Sequence, residues 1–186
     1  MIRLALLVGT LLCAAAGPVA AADWKMDAAT SRLEFTATFE RAPAPGVFRQ
    51  FDARLRFDAE QPAASSLEVT IDVKSVDMKV ADVNKAIAGA EWFDFARFPQ
   101  ARFRAAEIRR VDASRYLARG TLVLKGVEES VEVPFTWTRS ADAARMEGEL
   151  VVKRSAFGIG TGEWAATNVI GADVRVRFDL RLRKDG

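Results

Sequence analysis

The sequence contains no histidine, and its one cysteine is Cys13. Without histidine there is no Ser-His-Asp triad, no Cys-His pair, no imidazole metal ligand and no side chain that ordinarily titrates near neutrality. Cys13 lies in an N-terminal segment expected to be removed. The mature chain would then hold neither disulfide nor thiolate, and its stability must come from its core. Tyrosine occurs once against 12 phenylalanines. Phenylalanine brings no hydroxyl that needs a partner, so the aromatic content is dry. Nor is either charge in large excess: 27 Lys and Arg stand against 25 Asp and Glu. That balance argues against a nucleic-acid partner, which requires a net basic face.

What is present begins with a leader. One basic residue, Arg3, precedes an uncharged stretch from Leu4 to Ala16, after which Gly17-Pro18 breaks the run and Ala20-Ala21-Ala22 supplies small residues. This is the pattern of a secretory signal peptide over residues 1–22, with cleavage expected before Asp23 and residues 23–186 forming one domain. The apolar run of about thirteen residues is short of the ~20 that cross a bilayer. Leu12 before Cys13 is not the small residue that a lipid-modified cysteine follows. The expected location is therefore the periplasm.

Past the leader the dominant pattern has period two. Leu33, Phe35, Ala37 and Phe39 alternate with Glu34, Thr36, Thr38 and Glu40. Phe51, Ala53, Leu55 and Phe57 alternate with Asp52, Arg54, Arg56 and Asp58, and the same holds over 67–74 and 174–183. Successive side chains of a strand point to opposite faces, so each segment has one apolar and one wet face. Further strands are expected near Trp24 and over 101–105, 116–125, 131–138 and 146–153. Gly120 marks a bend or close approach, Lys125-Gly126 a hairpin turn, and Pro43, Pro45 and Gly46 a loop. Over 81–90 the spacing of Val83, Ile87 and Ala90 predicts a short helix capped by Asp82. The fold class that follows is all-β: an antiparallel barrel or sandwich of eight or nine strands with one short helix.

The inward set is Phe35, Phe39, Phe51, Leu55, Phe57, Val69, Ile71, Phe103, Leu122, Leu124, Phe135, Trp137 and Phe178. Two readings of it stand open. An eight-stranded barrel is just wide enough either to be filled by its own side chains or to hold a small ligand. Trp92, Phe93, Phe95 and Phe98 form a gate over one end or simply seal it. Arg41, Arg49, Lys79, Lys85, Arg97 and Arg154 are candidates for a polar head group, against ordinary surface charge. Asp94, between two phenylalanines, needs a partner if buried, either Arg97 or a helix-end amide. FGIG (157–160) lacks the spacing of a phosphate loop and reads as a strand bend. A carboxylate-based hydrolase would need two acids about 5 to 10 Å apart in an open cleft, but most acids here alternate outward. A stress or interaction protein with a filled core is the remaining alternative.

Five segments, in order, carry a resemblance: Asp27 and Ser31 with Leu33 and Phe35; GVFRQF (46–51); WFDFARFPQARF (92–103); GTLVLKGVEESVEVPF (120–135); and RSAFGIG (154–160) with Val174-Arg175-Val176. Together they resemble the YceI-like family of periplasmic, lipocalin-like, polyisoprenoid-binding proteins. The chain departs from the common pattern in carrying Thr30 and Glu40 about where many relatives have histidine. The resemblance implies an antiparallel, lipocalin-like β-barrel of about eight strands with a long apolar cavity, binding rather than catalysis, no required cofactor, and an isoprenoid quinone or polyprenyl lipid as ligand. That inward set, with Phe93, would then contact the ligand. Burying a forty-carbon tail is worth roughly 30 kcal/mol at ~0.8 per carbon, beyond the ~20 kcal/mol ceiling of non-covalent binding. Such a ligand comes from a membrane rather than from water, which implies a carrier in transient membrane contact. Exposed aromatics at the mouth would favour a homodimer.

Overall fold

The computed structural model describes residues 21–185. The expected leader, Met1 to Ala22, lies outside these residues except for Ala21 and Ala22. Eleven strands run in chain order: β1 Ala22–Met26, β2 Arg32–Phe39, β3 Ala42–Phe48, β4 Phe51–Phe57, β5 Ser66–Asp72, β6 Val76–Asp77, β7 Gln100–Arg110, β8 Arg115–Leu124, β9 Val127–Ser140, β10 Ala143–Lys153 and β11 Asp173–Lys184. The single α-helix among the described residues, α1, is Ala81–Ala86.

Eight of these strands close a ring, β1-β4-β5-β7-β8-β9-β10-β11, sealed by the pairing of β1 with β11. The other three extend it. β11 pairs with β1 at Trp24↔Lys184 and with β2 at Thr36↔Arg175, so β1 and β2 are halves of one bent strand. Likewise β3 runs into β4 and β5 into β6, because β2 pairs with β3 and β3 with β6. The barrel is thus an up-and-down meander of eight long strands, three of them kinked. At the first kink Ser31 is buried; its hydroxyl accepts the Arg181 N–H at 3.0 Å, while the Asp27 N–H donates to the Arg181 carbonyl at 2.8 Å.

Two tight hairpins have positive φ where the right-handed twist of the strands demands it: Glu40-Arg41 (47° and 69°) and Lys125-Gly126 (50° and 76°). Gly120 faces a bulge at Ala105/Glu107, and a Cβ there would lie 2.2 Å from the Arg104 carbonyl oxygen. The proline-rich stretch is a strand rather than the expected loop. Pro43 and Pro45 share one parity in β3, whose outer edge pairs with β6 only at Val47 and Phe48. Their missing N–H groups face that open edge, where proline is tolerated. The helix is also shorter than expected: it stops at Ala86, and Asp82 sits in its first turn while Val80 is the cap residue.

Because strands alternate in direction, the connections alternate between two ends. One end carries 58–65, 111–114 and 141–142; the other carries 40–41, 78–99, 125–126 and 154–172. The first end is plugged by aromatics from four strands. Phe57 lies 5.1 Å from Tyr116 and 4.7 Å from Trp137, ring centre to ring centre; Trp24 lies 5.1 Å from Trp137, and Tyr116 stacks on Phe135 at 5.4 Å. This block is the floor. Phe57→Ala removes its hub and is expected to cost about 3 to 5 kcal/mol. Urea unfolding monitored by circular dichroism would measure the loss; a change below 1 kcal/mol would show that the floor collapses freely around the gap.

Outside, the wet faces carry cross-strand ion pairs such as Arg145–Asp179 (2.8 Å) and Arg119–Glu132 (2.8 Å). They explain the outward acids: these carboxylates face arginines on neighbouring strands rather than one another across a cleft.

Candidate functional site: an apolar cavity

Above the floor the barrel is hollow. The cavity has a volume of about 220 Å³, room for on the order of seven waters at about 30 Å³ each. Its walls are built by parity: Leu33, Phe35 and Ala37 of β2; Val131 and Val133 of β9; Leu150 and Val152 of β10; Val174, Val176, Phe178 and Leu180 of β11. Apart from Arg154, every lining side chain is apolar or aromatic, and the only other polar atom among them is the indole N–H of Trp92.

Nine of the fourteen residues expected at the site line this cavity: Phe35, Phe51, Val69, Ile71, Phe93, Phe103, Leu122, Leu124 and Phe178. Five do not. Leu55, Phe57, Phe135 and Trp137 point inward as their parity requires, but at the height of the floor, where they pack on one another. Phe39 continues the inward parity of β2 past the rim and is 46% exposed. Residues that alternation could have supplied were missed, among them Leu33, Val133, Met146, Leu150 and Val176. Met78, Ile87, Ile159 and Ile170 come from the connecting segments, where no periodicity marks them.

The open end is roofed by two segments and a hairpin tip. In the first segment α1 is followed by tight turns that bring Trp92 and Phe93 over the cavity, with the Phe93 N–H donating to the Ile87 carbonyl at 3.1 Å. Phe95 stacks on Phe93 at 6.2 Å, and Phe98 packs instead over Gly126 beneath the Arg97 guanidinium. Asp94 is buried, with φ of 50° and Arg97 Nη1 at 3.5 Å. The second segment, 154–172, joins the first through the N–H groups of Gly160 and Thr161, both donating to the Glu91 carbonyl (2.8 and 3.0 Å), and through Trp92 against Trp164 at 5.7 Å. Lys125 spans the seam, donating to the carbonyls of Ala90 (2.8 Å) and Gly158 (2.5 Å). Its burial pushes the ammonium pKa down, opposed by nearby Asp94 and aided by Arg97. The hairpin tip meets this segment where the Glu40 N–H donates to the Val169 carbonyl at 2.7 Å.

Arg154 organises the second segment and is only 4% exposed. Its Nε donates to Gly171 O (3.0 Å), Nη1 to Ile159 O (2.9 Å) and Gly160 O (2.8 Å), and Nη2 to Trp164 O (2.9 Å) and Ile170 O (2.9 Å). All five N–H groups of a guanidinium are thereby used. As a head-group ligand Arg154 is ruled out: it is a peg for the roof. Burial lowers its pKa from the usual value, though arginine stays a cation. Arg49 is likewise committed, to Asp77. Arg41, Lys79 and Lys85 are exposed.

Asp77 pins the start of α1. It accepts from Asn84 Nδ2 (3.0 Å), Arg49 Nη2 (2.5 Å) and the Lys79 N–H (2.7 Å), and these bonds hold its pKa down at about 2. A carboxylate so lowered stabilises the fold above its unfolded value of 3.8 and loses that contribution as pH falls through about 2. Amide exchange in α1, corrected for intrinsic rate, should thus be flat from pH 7 to 4 and rise below pH 3. In Asp77→Asn it should already be faster at pH 7; equal protection in the two proteins would contradict the pinning.

A closed eight-stranded antiparallel barrel, floored by aromatics and hollow above, defines the class: a small-ligand-binding β-barrel. A sequence profile described as the YceI-like domain matches residues 24–182. The chain belongs to the YceI-like family. It is 32% identical to a UPF0312 protein of Enterobacter sp. (strain 638) over 131 residues, covering 69% of this chain and 67% of that one. It is 34% identical to a UPF0312 protein of Yersinia enterocolitica over 131 residues, with the same 69% and 67% coverage. The crystal structure of Burkholderia cenocepacia BcnA superposes with a TM-score of 0.82 at 35% identity, covering 84% of this chain and 98% of that one. A polyisoprenoid binding domain from Saccharophagus degradans, implicated in plant cell wall breakdown, shares the fold with a TM-score of 0.70 at 19% identity, covering 87% and 98%.

Proposed function

We propose that the protein binds and carries a polyisoprenoid lipid, an isoprenoid quinone or a polyprenyl compound, in the periplasm. The observation that carries this reading is the cavity of about 220 Å³, walled by hydrocarbon. An isoprenoid tail is branched hydrocarbon without hydrogen-bonding groups, and such a wall is its complement. The Saccharophagus domain of the same fold is described as polyisoprenoid binding, which supports the ligand class. The leader pattern over 1–22 supports export. Phe39 and Val169, 46% and 37% exposed, come to the rim where the Glu40 N–H donates to the Val169 carbonyl, and exposed Arg41 follows in the same turn. That point suits brief contact with a bilayer, from which so apolar a cargo must be drawn.

The test is native mass spectrometry, with organic extraction, of the protein purified from a bacterial periplasm. A stoichiometric co-purifying isoprenoid is the expected result. A clean apo mass that stays unchanged after incubation with quinone-loaded vesicles would overturn the carrier reading.

A further inference from the structure

The ladder between β9 and β10 covers only the floor half of the wall. These strands pair from Ala143↔Ser140 to Gly148↔Phe135 and no further, although β9 stays on β8 back to Val127 and β10 stays on β11 as far as Lys153. Residues 127–134 thus face 149–153 across a seam that no strand register bridges. The parting is written into the chain. Pro134 has no N–H to give β10. At Gly148 a Cβ would lie 2.2 Å from the Pro134 carbonyl oxygen, so the strands touch there before they separate. Beyond it β9 carries exposed Glu128, Glu129 and Glu132, the last held by Arg119, and charge of this kind keeps a free edge from being paired. A second edge left open in this half, β3 before Val47, is covered, since a Cβ on Gly46 would lie 2.6 Å from the Met78 sulfur. The β9–β10 seam instead opens on the cavity. Val131 and Val133 on one lip and Leu150 and Val152 on the other line it, and Val151, on the outer face, is 57% exposed.

We infer that this seam is a side gate: cargo enters and leaves between β9 and β10 while the roof stays shut. The inference rests on the binding function proposed above and assigns the route by which it works. The other routes are closed by bonds or by packed rings. Opening the roof breaks the bonds of Gly160 and Thr161 to the Glu91 carbonyl and both bonds of Lys125. The floor is blocked by Phe57, Tyr116, Phe135 and Trp137 in mutual contact. At the seam no ladder has to break, and side chains alone must turn aside. A slit also suits a linear hydrocarbon, which can be laid in along its length without an end first finding a hole. The turn Arg154–Phe157 frames the gate from above: it leaves the end of β10 and leads to Gly158, whose carbonyl accepts from Lys125 of the β8–β9 hairpin. Arg154 therefore holds the upper edge of the gate as well as the roof.

The experiment uses the absence of cysteine from residues 23–186, which lets thiols be placed in pairs. Glu132→Cys with Val151→Cys puts one thiol on each outer lip, and a short bismaleimide then bridges the seam. Thr121→Cys with Ser130→Cys, opposite each other in the intact β8–β9 ladder, is the wall control. Glu91→Cys with Thr161→Cys staples the roof. Uptake of a prenylquinone from vesicles, and its release to empty ones, is followed by native mass spectrometry of the bridged species. The seam bridge is expected to slow both by about tenfold or more, and the wall and roof bridges to leave both within about threefold of the parent. A seam-bridged protein within threefold of the parent, or a roof staple that slows exchange tenfold, would overturn the gate while leaving lipid binding intact. Hydrogen exchange of the unbridged protein is a check that needs no thiols. Amides over 127–133 and 149–153 should include a set that exchanges about a hundredfold faster than those of the floor strands. Protection there equal to that of the floor would show a sealed wall and overturn the gate as well. No uptake by the parent protein would overturn the binding function itself, and this inference with it.

Discussion

Leu150→Glu is expected to abolish lipid retention while leaving the barrel folded. Leu150 lies on the inward parity of β10, paired with Val176 of β11, and both line the cavity. Its side chain is only half-buried: it packs on the edge of the core and lines the cavity. A carboxylate there can keep water in the empty protein. A bound prenyl chain would strip that water without offering a partner, at a cost of several kcal/mol. At about 1.4 kcal/mol per decade, retention should fall a hundredfold or more. The fold should lose about 1 to 2 kcal/mol, or roughly 2 to 8 °C in melting temperature for a domain of this size. Leu150→Met should behave as the parent. Retention of Leu150→Glu within threefold of the parent would place the ligand elsewhere. The comparison with Phe57→Ala is informative, because that floor variant should show the opposite pair of effects, lower stability with binding retained.

The second large effect belongs to Arg154. Arg154→Met leaves the carbonyls of Ile159, Gly160, Trp164, Ile170 and Gly171 without the donor that gathers them. Each buried carbonyl left unpaired costs about 1 to 3 kcal/mol, though some will regain water. The expected loss is about 3 to 5 kcal/mol, or the whole opening free energy of the segment where that is smaller. Hydrogen exchange should localise it: amides over 158–171 should exchange a hundredfold faster while those of the floor strands change little. Arg154→Lys supplies three donors in place of five and should recover only part of the loss. A roof segment as protected in Arg154→Met as in the parent would refute the peg. Since this segment closes the mouth, ligand exchange with vesicles should also speed up in the variant.

Much of the architecture was legible before any coordinates. Alternation named the strands other than β3 and β6 and the inward face of each, and glycine marked the Lys125-Gly126 turn. Depth was not legible. Phe51, Leu55 and Phe57 share one parity of one strand, yet Phe51 lines the cavity while Leu55 and Phe57 lie in the floor. Arg154 was equally opaque, because a sequence cannot say that five carbonyls from three stretches of chain converge on one guanidinium. The prolines of β3 misled for a related reason, since whether a strand has a free edge depends on partners distant in sequence.

The sequence by itself determined which side of each strand is dry and that the interior is furnished with phenylalanine in place of hydrogen-bonding groups. Those are consequences of covalent geometry, in which successive side chains alternate whatever the strand packs against. The tertiary structure decided where along the barrel the filling stops and the hollow begins. That boundary is set by strand register: the pairing Tyr116↔Phe135 puts two rings of separate strands side by side, and Phe57 and Trp137 close against them at the same level.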